Sequence, residues 1–332
     1  MESPGAPRFV VTRRIPEPAL AVLREAGEPW VSELDRPLEP TELREAARGA
    51  TALVTLLHDR VDSELLDAAA PQLRCVANVA VGYDNIDLAA ARGRGVIVTN
   101  TPGVLTDATA DLAIALILAV TRRMGEGERL IRARERWAWD MRFMLGTGIQ
   151  GKTLGIVGLG NIGQAVARRA RAFGVRIAYA GRHRAGREIE TELEAERLEL
   201  GELLASADVV SLHLPLTNET RHLIDGARLR AMKPTAFLIN TARGQVVDEA
   251  ALAAALAERE IAGAALDVFE NEPDVHPGLL EIENVVLVPH LGSATAETRT
   301  AMAVLAARNA VAVSRGGEPL TAVVHHPATG HH

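Results

Sequence analysis

The sequence predicts an α/β protein built as two domains, each a parallel sheet flanked by helices. Three observations predict it. Short apolar, β-branched runs alternate with helical segments over residues 8–100 and again from Gly151 onward. A glycine-rich turn, Gly158-Leu159-Gly160-Asn161-Ile162-Gly163, joins one such run to a helix. Between the two series lies Thr99-Asn100-Thr101-Pro102-Gly103, a punctuating stretch.

In the first series, strands are expected at Phe9-Val10-Val11, Ala52-Leu53-Val54, Val76-Ala77-Asn78 and Val96-Ile97-Val98. Helices are expected at residues 18–26, 41–47, 63–70 and 88–92. Strands alternating with helices mean a parallel sheet with right-handed crossovers. A long helix follows over residues 108–123, apolar on nearly every side and so expected to be buried all round.

In the second series, six strands are expected, at residues 153–158, 176–180, 209–213, 236–240, 264–268 and 285–289. Six is the number in a full dinucleotide-binding sheet. Helices fall between them, notably at residues 163–173 and 248–258. Residues 187–202, dense in glutamate (Glu188, Glu190, Glu192, Glu194, Glu196, Glu199), read as a solvated helix face or loop. A last helix at residues 296–313 returns apolar surface to the first domain. The expected organisation is therefore a substrate domain of residues 1–100 and 291–332 with a cofactor domain, 101–290, inserted into it. Two linkers crossing at a cleft suit a hinge.

Composition narrows the function. Of 332 residues, 24% are charged, ordinary for a globular protein. A net charge of -7 and 3% aromatics argue against nucleic-acid binding, which needs a basic face or stacking platforms. One cysteine, Cys75, excludes an internal disulfide and reads as buried and inert. The N-terminus reads as lacking a signal peptide, and the longest apolar run, residues 112–120, is about half a membrane span and reads as a buried helix or a subunit interface. A cytoplasmic protein without membrane or metal is the expectation. The histidines at 325, 326, 331 and 332 read as a loose tail.

The glycine motif suits a dinucleotide. Gly158 permits the tight turn, Gly160 lets backbone approach a pyrophosphate, and Gly163 lets helix pack on strand. The helix N-terminus turns N–H groups and a positive dipole end toward the phosphates. A site preferring NAD(H) usually ends its second strand with a carboxylate, about 20 residues on. Here stands Gly181-Arg182-His183-Arg184, with two arginines able to clamp a 2′-phosphate. NADP(H) is thus the expected cofactor, with NAD(H) possible.

Three further stretches follow strands: Asn240-Thr241-Ala242-Arg243-Gly244, Asp267-Val268-Phe269-Glu270-Asn271-Glu272-Pro273 and Pro289-His290-Leu291-Gly292-Ser293. Arg243 presents a rigid donor fork that matches a substrate carboxylate. His290 sits at a residue type that can give a proton to a carbonyl oxygen as hydride reaches carbon, or take it back in reverse. A neighbouring carboxylate favours the imidazolium. Chemistry alone does not separate Glu270 from Glu272 in that task. Asp267, at another strand end, faces the nicotinamide side in this reading. The set points to hydride transfer on a small 2-hydroxy or 2-keto acid.

The cradle at 158–163, Thr241-Ala242-Arg243-Gly244, Asp267-Val268-Phe269 with Glu272-Pro273, and Pro289-His290 with Gly292-Ser293 resemble the D-isomer-specific 2-hydroxyacid dehydrogenase family over essentially the full chain. Residues 78–87, residues 106–111 and the Gly181–Arg184 stretch look most like its glyoxylate/hydroxypyruvate reductases. The resemblance implies two Rossmann-like or flavodoxin-like domains and reduction of glyoxylate and hydroxypyruvate to glycolate and D-glycerate. It implies Arg243 as substrate anchor, Glu272 as partner of the histidine and His290 as general acid/base. It implies substrate contacts at Leu57, Val81 and Gly82, the last two through backbone N–H. Beyond the cradle and Arg182, His183 and Arg184, it implies cofactor contacts at Thr109, Leu214, Pro215, Thr220, Thr241, Ala242, Asp267 and Gly292. It also implies a homodimer formed partly by the helix near Ala108, with Trp137 and Trp139 in a segment that often reaches a partner's site.

Within the family, the rivals are D-lactate, phosphoglycerate and phosphite dehydrogenases. A phosphorylated substrate wants basic residues that 78–87 lack. Formate dehydrogenases replace the acid partner of the histidine with glutamine. A nucleotide-sensing co-repressor is the rival of another class, and the complete triad favours turnover.

Overall fold

The computed structural model describes residues 6–324, so the terminal histidines lie outside the described residues. Two compact units emerge, one of residues up to Leu105 together with those from Thr295, the other spanning Thr106–Ala294.

The first unit opens with β1 (Phe9–Val11), α1 (Glu17–Arg24), β2 (Trp30–Val31), α2 (Pro40–Ala47) and β3 (Ala52–Thr55). It continues through α3 (Ser63–Ala69), β4 (Cys75–Asn78), α4 (Leu88–Gly93) and β5 (Ile97–Thr99). The β2-β1-β3-β4-β5 order is parallel throughout, the doubly wound order with one switch of direction. Successive strand residues face opposite sides, and both sides are apolar. Val10, Leu53, Val76 and Val98 meet Leu43, Leu65 and Leu66 on one side. Phe9, Val54, Cys75 and Ala77 pack with Leu23 on the other. Burial on both faces explains the continuous β-branched runs. Cys75 is fully buried, and burial pushes its thiol up to about 12, so it is inert as a nucleophile.

The second unit begins with α5 (Thr106–Thr121) and α6 (Met124–Arg132), then β6 (Thr153–Val157), α7 (Asn161–Arg171) and β7 (Arg176–Ala180). Next come α8 (Arg187–Leu193), β8 (Ala195–Arg197), α9 (Leu200–Ser206), β9 (Val209–Leu212) and α10 (Gly226–Ala231). The unit ends with β10 (Phe237–Asn240), α11 (Glu249–Ala257), β11 (Gly263–Leu266), α12 (Pro277–Leu280) and β12 (Val285–Leu287). All pairings are parallel, in the order β8-β7-β6-β9-β10-β11-β12. Chain direction along the sheet reverses between β6 and β9, the switch point where such sheets bind ligands.

Two expectations need correction here. The sheet has seven strands, because the glutamate-rich residues 187–202 form α8, the edge strand β8 and the start of α9. Charged side chains on a short strand are what an unpaired sheet edge tolerates, and they hide its period. Nor is α5 buried all round in this chain. Ala110, Ala113, Leu116, Ile117 and Val120 are buried, whereas Ala115 is exposed and Leu112, Ile114 and Leu118 are half-buried.

The chain then returns to the first unit through α13 (Ala296–Ser314) and β13 (Ala322–Val324). The α13 alanines 303, 306, 307 and 310 pack on the first sheet beside Phe9 and Val54. β13 adds an antiparallel edge to β5. Asn309, fully buried, accepts from the N–H groups of Leu320 and Thr321 and donates to the Thr321 hydroxyl, which ties that edge down.

Candidate active site

Arg243, Glu272 and His290 follow β10, β11 and β12, which are adjacent and parallel, so all three leave the sheet at its C-terminal edge. After β10, buried Asn240 shapes the turn. Its side-chain N–H donates to the Arg243 carbonyl at 2.9 Å, and its oxygen accepts from Ala242 N at 3.0 Å. The Arg243 guanidinium donates to the Ala242 carbonyl at 2.8 Å. Gly244 then passes so close to the next strand's loop that a Cβ there would lie 1.8 Å from the Phe269 carbonyl carbon. No other residue fits. This approach brings the Arg243 turn against the loop that carries Glu272.

Glu272 uses both oxygens. One accepts from Phe269 N at 3.1 Å; the other meets His290 Nδ1 at 2.8 Å. Both side chains are about a quarter exposed or less, at 19% and 26%. Glu270, two residues earlier, turns elsewhere and meets His222 Nε2 at 2.5 Å. The structure thus separates the two glutamates: only Glu272 holds the histidine beside it. With Nδ1 engaged, Nε2 is the ring nitrogen turned away from Glu272.

His290 has φ of 52°, a left-handed conformation uncommon for a residue with a Cβ. Asp267 holds it there. The Asp267 carbonyl accepts from His290 N at 2.8 Å, and its carboxylate accepts from Leu291 N at 2.5 Å and Gly292 N at 2.8 Å. Burial raises the Asp267 carboxyl above the usual range, against the pull of the Leu291 N–H, the His290 charge and the Gly292 N–H. From α5, Thr109 donates its hydroxyl to the Gly292 carbonyl at 3.0 Å. Asp267, Thr109 and Gly292, grouped in the sequence reading as cofactor contacts, are bonded to one another beside the histidine.

The glycine cradle lies at the switch point. Gly158 has φ of 95°, and a Cβ on it would lie 2.4 Å from the carbonyl oxygen of His213, the residue after β9. A Cβ on Gly163 would lie 2.3 Å from the Gly158 carbonyl oxygen. Gly160, the N-cap of α7, has nothing within 4 Å of its Cβ position. Two glycines are therefore required by the protein's own packing, while the third keeps open the space over the exposed Asn161 and half-buried Leu159 and Ile162. Those are the properties of a phosphate cradle on a helix N-terminus, and a dinucleotide fits it.

After β7, Arg182 and His183 are exposed, but Arg184 is engaged. Its guanidinium grips Glu190 of α8 through Nε and a terminal nitrogen, at 2.9–3.1 Å. The Tyr179 hydroxyl also donates to Glu190, at 2.5 Å. Both partners hold the Glu190 carboxyl below its usual range. After β9, the Thr220 hydroxyl donates to the Pro215 carbonyl at 2.8 Å and closes the turn beyond Leu214.

Within the first unit, two loops carrying Leu57, Val81 and Gly82 are pinned by amides. Asn85 donates to the carbonyls of Leu56 and Asp59, Asn78 to that of Gly82 and Asn100 to that of Val81. Buried Asp59 accepts from Leu56 N at 2.7 Å and from the Thr12 hydroxyl.

Sequence reasoning missed Asn240 as the shaper of the Arg243 turn and His213 as a neighbour of the cradle. His213 Nε2 meets Ser211 Oγ at 2.8 Å and Nδ1 meets Thr241 Oγ1 at 3.4 Å; burial pushes its imidazole down to about 4. Position directly after a β-strand of the nucleotide sheet was the only available signal. Among the described residues, no group of three His, Cys, Asp or Glu side chains can hold a metal, and no helix is long and apolar enough to cross a membrane.

Residues 114–292 match the family model described as "D-isomer specific 2-hydroxyacid dehydrogenase, NAD binding domain". A glyoxylate reductase of Thermococcus onnurineus is 51% identical over 322 residues, 96% of each chain. Among solved structures, the TT0316 protein of Thermus thermophilus superposes with a TM-score of 0.89 at 48% identity, over 96% of this chain and 100% of that one. An NADPH-dependent glyoxylate/hydroxypyruvate reductase of Sinorhizobium meliloti, in complex with NADP and malonate, gives 0.84 at 38% identity, over 96% and 97%. With a nucleotide cradle at the switch point, a carboxylate-bound histidine on the same sheet edge and identity of this extent along the whole chain, the protein belongs to the D-isomer-specific 2-hydroxyacid dehydrogenase family.

Proposed function

We propose that the protein is an NADPH-dependent reductase of glyoxylate and hydroxypyruvate, forming glycolate and D-glycerate. The single observation that supports this most is the 2.8 Å pairing of Glu272 with His290 Nδ1, one loop away from the Arg243 turn. A bound reduced nicotinamide supplies the hydride that the keto carbon receives. Arg243 holds the substrate carboxylate with its planar fork. His290 gives its Nε2 proton to the carbonyl oxygen, so the product leaves as a neutral alcohol group and His290 is left neutral. Glu272, bonded to Nδ1, fixes the ring's orientation and turns Nε2 toward the site. In the first unit, the N–H groups of Val81 and Gly82, with Leu57 beside them in the sequence reading, are assigned to the small acid. A homodimer is part of the same reading.

The reading places the cofactor pyrophosphate on the Gly158–Gly163 turn and the 2′-phosphate by Arg182 and His183. Arg184 is given a different task from the one its sequence suggests. Already gripping Glu190, it neutralises a carboxylate that otherwise repels a phosphate. A charge-assisted hydrogen bond is worth about 1.5–3 kcal/mol, or roughly ten- to hundred-fold in affinity.

Steady-state kinetics test both parts. Nicotinamide absorbance should fall with glyoxylate and hydroxypyruvate at higher kcat/KM than with pyruvate, and faster with NADPH than NADH. Arg182→Gln should raise the KM for NADPH about tenfold while leaving that for NADH unchanged. No turnover with any of the three acids contradicts the enzyme reading; equal use of both cofactors contradicts only the NADPH preference.

A further inference from the structure

We propose that Glu249 is a positioning residue for proton transfer: it clasps the loop from Glu270 to His276 and thereby sets the Glu272 carboxylate against His290. This rests on the roles given above to Glu272 and His290.

Glu249 is the first residue of α11 and is only 4% exposed. An acidic side chain in a first helical turn ordinarily lies in solvent and favours the dipole there. Capping does not explain the burial, because Asp248 already caps the helix by accepting from Ala251 N at 2.9 Å. A buried carboxylate is costly unless its oxygens are bonded. Both oxygens of Glu249 are bonded, to the two ends of one loop. Oε1 accepts from Glu270 N at 2.5 Å and Oε2 from His276 N at 3.3 Å.

The clasp is reciprocal. Glu249 N donates back to Glu270 Oε2 at 3.3 Å, while Glu270 Oε1 meets His222. The Gln245 side chain donates to the Glu270 carbonyl at 2.6 Å. Between the two clasped points lies Glu272, whose Oε2 reaches His290. The loop is thus held at both ends by one side chain, and the carboxylate it presents meets the histidine through Oε2. A displacement of about 1 Å at such a group can cost up to 100-fold in rate.

The test uses full-length Glu249→Ala, Glu249→Gln, Glu272→Gln and His290→Ala. Glu249→Ala should lower kcat for glyoxylate reduction about 10- to 100-fold. Glu249→Gln should lower it less, because its one oxygen can still accept from Glu270 N. NADPH affinity, read by fluorescence, should be unchanged in both. The decisive readout is the coupling between the two glutamates: because Glu249 acts only through Glu272, adding Glu249→Ala to Glu272→Gln should lower kcat little further, while each change alone lowers it clearly. Losses in kcat that multiply in the double variant overturn the proposal, as does a wild-type kcat in Glu249→Ala. If circular dichroism shows Glu249→Ala unfolded, the same comparison made with Glu249→Gln decides alone. Should His290→Ala keep wild-type kcat, the site reading itself fails, which is a separate outcome.

Discussion

His213 shows how a single side chain can dominate the response to acid. Burial pushes its imidazole from the usual 6.5 down to about 4. An unfolded chain therefore takes up a proton there before the folded chain does, and stability present above pH 6.5 is lost as pH falls toward 4. The loss attributable to this one residue is on the order of 3 kcal/mol. Buried Asp59, Glu249 and Asp267 oppose it, since carboxyls with raised values favour the folded state as pH falls. Replacing His213 by Asn should lower stability at neutral pH yet flatten the decline between pH 6.5 and 4, as measured by urea unfolding. An unaltered slope contradicts the assignment. Little of this was legible beforehand, because burial of a histidine depends on what the sheet stacks around it. Glu270 and Glu272 show the same limit: two like residues two apart, separated in task by where the backbone of Phe269 and the ring of His222 happen to lie.

Elements were legible wherever a strand had both faces buried, as in β1, β3, β4, β6 and β10, because burial demands a continuous apolar run. Those missed sit at edges. β2 is two residues long, β8 is charged and β13 pairs antiparallel at the rim. The turn from β6 into α7 was legible from its glycines, but their different reasons were not. Gly163→Ala should destabilise the fold by about 1–3 kcal/mol, because its Cβ would overlap the Gly158 carbonyl oxygen. Gly160→Ala should leave thermal stability nearly unchanged, its Cβ meeting nothing within 4 Å, yet raise the KM for the nicotinamide cofactor about ten- to hundred-fold. Cofactor binding that survives Gly160→Ala unharmed contradicts the cradle.

Across the molecule, two doubly wound sheets each place the residues proposed for the site after the C-terminal ends of strands. The first carries Leu57 and the Val81–Gly82 turn; the second carries the cradle, Arg243, Glu272 and His290. Both orders follow from strand–helix alternation with right-handed crossovers, which is why the fold class was readable from pattern alone. The pairing of Glu272 with His290 joins residues from loops after two neighbouring strands, and so depended on sheet order as well as on pattern. The most direct test of the account is single-turnover reduction of glyoxylate by His290→Ala, with NADPH affinity measured on the same preparation. The account predicts that the rate of reduction collapses by about a hundredfold or more while NADPH binds as tightly as to the wild type. A rate close to wild type contradicts it.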